Sequence, residues 1–98
     1  MATKMQRSGG NVFEDLGFDS EEAANLKIRA DLMIELSKLI KSRALTQAMA
    51  ASLFGVSQPR VSDLINGKIE RFSIDMLIAM LGRAGVAIKF TTRRRRVA

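Results

Sequence analysis

The segment from Leu45 to Lys68, LTQAMAASLFGVSQPRVSDLINGK, admits few folds. Thr46 is a good cap for a predicted helix over Gln47–Phe54. Gly55 stops that helix, because glycine takes the positive φ of a sharp turn without a Cβ penalty. Ser57 caps a second helix over Gln58–Ile65. Pro59 falls in its first turn, where a missing N–H leaves nothing unpaired. Asn66 and Gly67 end it. Asn-Gly also marks hairpins, but the residues before it run with helical period rather than strand alternation. Ala51, four residues before Gly55, puts a small side chain where the two helices must cross closely. Val56, Val61 and Leu64 supply the apolar side of the second helix.

Two short helices joined in this way form a helix-turn-helix. Gln58, Arg60, Ser62 and Asp63 are expected on the exposed side of the second helix, with hydrogen-bonding groups whose reach suits base edges. Helix N-termini also attract phosphate.

The rest of the chain reads as two more helices and one strand. Asp19 followed by Glu22 resembles a capping box and opens a long helix that runs to Ser42. Ile28, Leu32, Leu36 and Leu39 are predicted on its apolar face, with Met33 and Ile40 beside them. Ser73 caps a last helix, with Ile74, Leu77, Ile78 and Leu81 on its apolar face and Gly85 at its end. Phe54, Leu36, Leu77, Ile78 and Leu81 are the predicted core, and Ile65 and Leu53 are expected to be partly exposed. Residues 86–90 alternate as a strand, with Val86, Ile88 and Phe90 on one side. A single strand needs a partner. Pairing with the same strand of a second copy is the more economical choice, and the N-terminal segment is the other. Residues 1–10 are polar, contain Gly9-Gly10 and are expected to be a mobile end. Val12, Phe13, Leu16 and Phe18 make residues 11–18 too apolar to dangle, so a short irregular segment packed on the domain is expected. The predicted organisation is therefore an N-terminal arm over residues 1–18, one domain over 19–92 and a basic tail over 93–98. The fold class is all-α, a compact four- to five-helix bundle with a short C-terminal β-strand.

The composition narrows the chemistry. The 98 residues contain no Cys, His, Trp or Tyr. That removes disulfides, thiolate and imidazole metal ligands, and the usual catalytic triads, so no catalytic, metal or cofactor residues are assigned. An enzyme would have to work with carboxylates, Lys, Arg, Ser and Thr alone. No apolar run is long enough for a membrane span and no signal peptide opens the chain, so a cytoplasmic protein is expected. The net charge of +6 is unevenly placed. Residues 1–22 carry two basic and five acidic groups, a net of −3, and residues 23–98 carry 14 basic and 5 acidic groups, a net of +9. Arg93, Arg94, Arg95 and Arg96 end the chain and could reach a phosphate backbone or serve only solubility. A basic body points to a polyanion. A protein-interaction module whose charge only solubilises is the competing class.

The helix-turn-helix segment resembles the Cro/C1-type (XRE) regulators at Gln47, Ala51, Gly55, Val56, Ser57, Val61, Leu64, Asn66, Gly67 and Lys68. GNVFEDLGF at the front, the helix ending in KSRALTQ and the terminal strand are similar to HigA-like antitoxins. The resemblance implies a homodimer on double-stranded operator DNA. Gln47 would hold a phosphate. Ser57, Gln58, Arg60 and Ser62 would enter the major groove, and Asn66 and Lys68 would contact the backbone. Pro59 departs from the polar residues common at its position, and Asp63 would be repelled by phosphate unless it faces an arginine or a cytosine amino group. The antitoxin likeness implies a basic RelE/HigB-like toxin as partner, facing Glu14, Asp15, Asp19, Glu21 and Glu22. A stand-alone or phage-like XRE regulator without a toxin is the alternative.

Overall fold

The computed structural model describes residues 11–94. Five α-helices and one 3-10 turn follow one another: α1 (Val12–Asp15), α2 (Ser20–Ser42), α3 (Gln47–Phe54), α4 (Gln58–Ile65), the turn Ile69–Arg71, and α5 (Ile74–Arg83). The predicted mobile end at residues 1–10, and Arg95 and Arg96 of the basic tail, lie outside the described residues.

Each main helix starts where a side-chain oxygen meets an orphan N–H. Asp19 Oδ1 accepts from the Glu22 amide at 2.8 Å, Thr46 Oγ1 from Met49 at 3.1 Å, Ser57 Oγ from Arg60 at 3.3 Å and Ser73 Oγ from Met76 at 3.1 Å. The ends are equally local. Gly55 sits at φ +70° and closes α3, and Gly67 sits at φ +69° just past α4.

The core gathers Leu36, Phe54, Val61, Leu64, Leu77, Met80 and Leu81, with Phe72 from the loop before α5. Helix α2 forms the spine against which α5 and the α3–α4 pair pack. At about 25 cal/mol per Å² of apolar surface removed from water, each large side chain here contributes roughly 1.5 to 3 kcal/mol.

Four expectations change. Residues 11–18 are not irregular: Asn11 accepts from the Phe13 amide at 2.9 Å and starts α1. A four-residue helix shows no period, so pattern alone misses it. Its Phe13 meets Phe18 edge-to-face at 6.2 Å, and the Asn11 amide donates to the Ala23 carbonyl at 2.9 Å. Val12, Leu16 and Phe18 nevertheless stay exposed.

Ile28 is exposed. Helix α2 buries Leu32 and Leu36 toward the main core, but nearer its start it buries Ala23 and Leu26 on a different side, where α1 packs. A single stripe along 23 residues misses that change of face.

Ile78 is exposed too. The buried face of α5 is Leu77, Met80, Leu81 and Ala84, one position round from the predicted stripe.

Finally, residues 86–90 form no strand. The Val86 amide closes α5 on the Leu81 carbonyl at 3.0 Å. Beyond it the chain runs without a ladder to residue 94. A strand needs a hydrogen-bonded neighbour, and the described residues offer only helices and loops, the N-terminal segment included. Val86 and Ile88 lean on the core, while Phe90 is 81% exposed.

Candidate nucleic-acid interface

Gly55 ends α3 in the left-handed region and turns the chain toward α4. Its left-handed backbone lets the Val56 amide donate to the Ala51 carbonyl at 3.0 Å. Buried Ala50, Ala51 and Phe54 set α3 against the body, and buried Val61 and Leu64 do the same for α4. Arg83 of α5 closes the arrangement: its Nη1 donates to the Phe54 carbonyl at 3.2 Å, at the negative end of α3.

What this leaves outward is specific. Gln47 is exposed in the first turn of α3. Ser57, Gln58, Asn66 and Lys68 are exposed along and just beyond α4, and Ser62 is half-buried. At 100° per residue, Gln58, Ser62 and Ile65 share one face of α4. The Asn66 amide lies 3.4 Å from Ser62 Oγ, tying the helix end to that face. Ile65 is half exposed and belongs to the same stripe. The i, i+4, i+7 spacing from Gln58 was the signal for it, and its apolar side chain hid the point.

Arg60 does not join them. Two residues from Gln58, it lies on the opposite side of α4. Its Nη1 donates to the Arg71 carbonyl at 3.1 Å, and its guanidinium carbon sits 5.7 Å from the Phe72 ring centroid. Asp63 is half-buried and lies 3.9 Å from both Arg60 and Lys68. The carboxylate that would repel phosphate therefore already faces two cations.

Other cations are engaged in the same manner. Arg29 donates to the carbonyls of Ile69 at 3.1 Å and Phe72 at 3.3 Å. Arg43 donates to the Ala84 carbonyl at 3.4 Å, at the end of α5. Arg71, Lys68, Lys41, Arg93 and Arg94 are exposed. Among the described residues no group of acidic side chains could hold a metal ion, and no helix is long and apolar enough to cross a membrane.

A family model described as a helix-turn-helix domain matches residues 12–92. A solved structure described as an XRE family transcriptional regulator is 31% identical, covers 79% of this chain and 90% of its own, and superposes with a TM-score of 0.71. The chain belongs to the XRE family of helix-turn-helix proteins. No curated protein matches it. The helix-turn-helix family model spans α1 to the C-terminal segment, so the helix-turn-helix and its supporting helices form one unit. This XRE protein is a DNA-binding regulator, and α3 and α4 form its helix-turn-helix.

Proposed function

We propose that this protein is a sequence-specific repressor that binds operator DNA as a homodimer. The observation that carries the reading is the outward stripe of α4, Gln58, Ser62 and Ile65, on a helix capped and anchored by Ser57, Val61 and Leu64. Gln58 suits adenine, Ser62 accepts or donates, and Ile65 can meet a thymine methyl group. Ser57 lies at the groove-facing start of α4. Gln47, at the start of α3, holds a phosphate. Asn66 and Lys68 contact the backbone beyond α4, and the arginines of residues 93–96 add phosphate contacts. A two-fold dimer would address half-sites about one helical turn apart.

The finer reading is an antitoxin, acting in the cytoplasm, that neutralises a basic RelE/HigB-like toxin and represses its own operon. It is supported by residues 11–26, which carry five carboxylates and no Lys or Arg. Val12, Leu16 and Phe18 stand exposed among them. Such a face disfavours DNA and complements a basic protein.

A gel-shift titration on the upstream region tests the DNA reading. Sequence-preferring binding at moderate salt is expected, and its absence refutes it. Co-expression with the product of an adjacent basic reading frame tests the antitoxin reading. A complex lost on Glu14→Lys with Asp15→Lys supports it. An isolated gene, or no complex, leaves a stand-alone XRE repressor.

A further inference from the structure

We propose that Arg60 is a positioning residue: it fixes the orientation of α4 on the body and reads no base itself. The inference rests on the DNA-binding reading above. Gln58, Ser62 and Ile65 share one face of α4, and Arg60 points the other way. Three different interactions converge on its guanidinium. The Arg71 carbonyl accepts from it at 3.1 Å, the Phe72 ring lies 5.7 Å away, and the Asp63 carboxylate lies 3.9 Å away.

The Arg71–Phe72 segment is itself fixed. Phe72 is 2% exposed, and Arg29 from α2 donates to the carbonyls of Ile69 and Phe72. So α2 holds the turn, and the turn holds α4. Besides this contact, α4 is anchored by the buried pair Val61 and Leu64 and by its packing on α3 and α2. A helix of only eight residues with two buried side chains takes part of its orientation from each further tether. Base-edge hydrogen bonds tolerate displacements of only about 0.5 Å, so a tether that sets this orientation governs affinity at every base read. To reach a guanine, Arg60 would have to leave all three partners.

The test begins by selecting a random-sequence duplex library with the wild-type protein. The selected duplex and its single-base variants are then titrated with wild type, Arg60→Ala and Gln58→Ala, at a temperature where circular dichroism shows each protein folded. Arg60→Ala is expected to lose about tenfold in affinity, evenly across the base variants and with an unchanged salt slope. Gln58→Ala is expected to lose discrimination at one position. If Arg60→Ala relaxes one base position, Arg60 is a base reader and the proposal falls. A salt slope shallower by about one makes it a phosphate contact, with the same consequence. Unchanged affinity of the folded protein makes the contact merely stabilising and also overturns the proposal. Amide hydrogen exchange without DNA supplies the independent arm: Arg60→Ala is expected to speed exchange in α4 and residues 69–72, and unchanged exchange refutes the latch. A wild type that selects no duplex sinks the DNA reading and the positioning role with it. Faster exchange in Arg60→Ala would then still establish the contact, so the two failures are told apart.

Discussion

Replacing Gly55 with alanine perturbs two things that can be separated. The first is backbone conformation. At φ +70° a residue with a Cβ is strained by about 1 to 2 kcal/mol. The second is Arg83. A Cβ on Gly55 would lie 2.8 Å from Arg83 Cδ and 3.0 Å from its Nε, so that side chain must move. Moving it sacrifices the 3.2 Å hydrogen bond to the Phe54 carbonyl. That bond contributes about 1 kcal/mol, below the range of about 1.5 to 3 kcal/mol for charged groups, because Arg83 is exposed. Gly55→Ala should therefore destabilise by about 2 to 3 kcal/mol, a fall in Tm of about 10 to 20 °C. With five Phe and no Trp or Tyr, far-UV circular dichroism in urea is a better readout than intrinsic fluorescence. In an Arg83→Ala background the same substitution should cost only the backbone part, about 1 to 2 kcal/mol. Equal costs in the two backgrounds would show that Arg83 relocates freely. A cost below about 0.5 kcal/mol in both would show that the turn does not require left-handed backbone at all.

Other expectations are simpler. Ser57→Ala removes the α4 cap and should cost about 1 kcal/mol by urea midpoint, with wild-type stability counting against the capping geometry. Phe54→Ala opens the centre of the core and should cost about 3 to 5 kcal/mol, enough to leave little folded protein by circular dichroism at 37 °C. Phe90→Ser should change stability by less than about 0.5 kcal/mol, because the ring is 81% exposed, and a large loss would mean that it packs on something in solution. Lys68→Ala should make the log–log salt slope of DNA binding shallower by about one, and an unchanged slope would remove Lys68 from the phosphate contacts.

The helix-turn-helix was legible because its signals are local. Thr46, Gly55, Ser57, Pro59 and Gly67 each act within a turn of their own position, and caps and turns are set by nearest neighbours. The core was legible where one face met one partner, as at Phe54, Leu36, Leu77 and Leu81. Ile28 and Ile78 broke the pattern for tertiary reasons. The first sits where α2 turns a different side to its packing partner, and the second beside a stripe that Met80 and Ala84 fill instead. Within the single chain residues 86–90 form no ladder, because alternation records which side is apolar, not whether a neighbour exists. At the candidate interface, Gln58 and Ser62 could be placed from spacing. The inward turn of Arg60 could not, because its acceptor is a main-chain carbonyl 11 residues away. No side-chain pattern encodes such an acceptor.

The same chemistry recurs at Arg29, Arg43, Arg60 and Arg83, each giving a guanidinium N–H to a main-chain oxygen. These four side chains act as mortar between elements. Lysine would preserve the net charge at neutral pH at each position, yet its single ammonium on a flexible stem lacks the planar fork that spans these gaps. Charge-conserving exchange is therefore a poor guide to what this chain tolerates. A variant with all four replaced by lysine would keep its pull on a polyanion and lose the rigidity on which the proposed reading of base sequence depends.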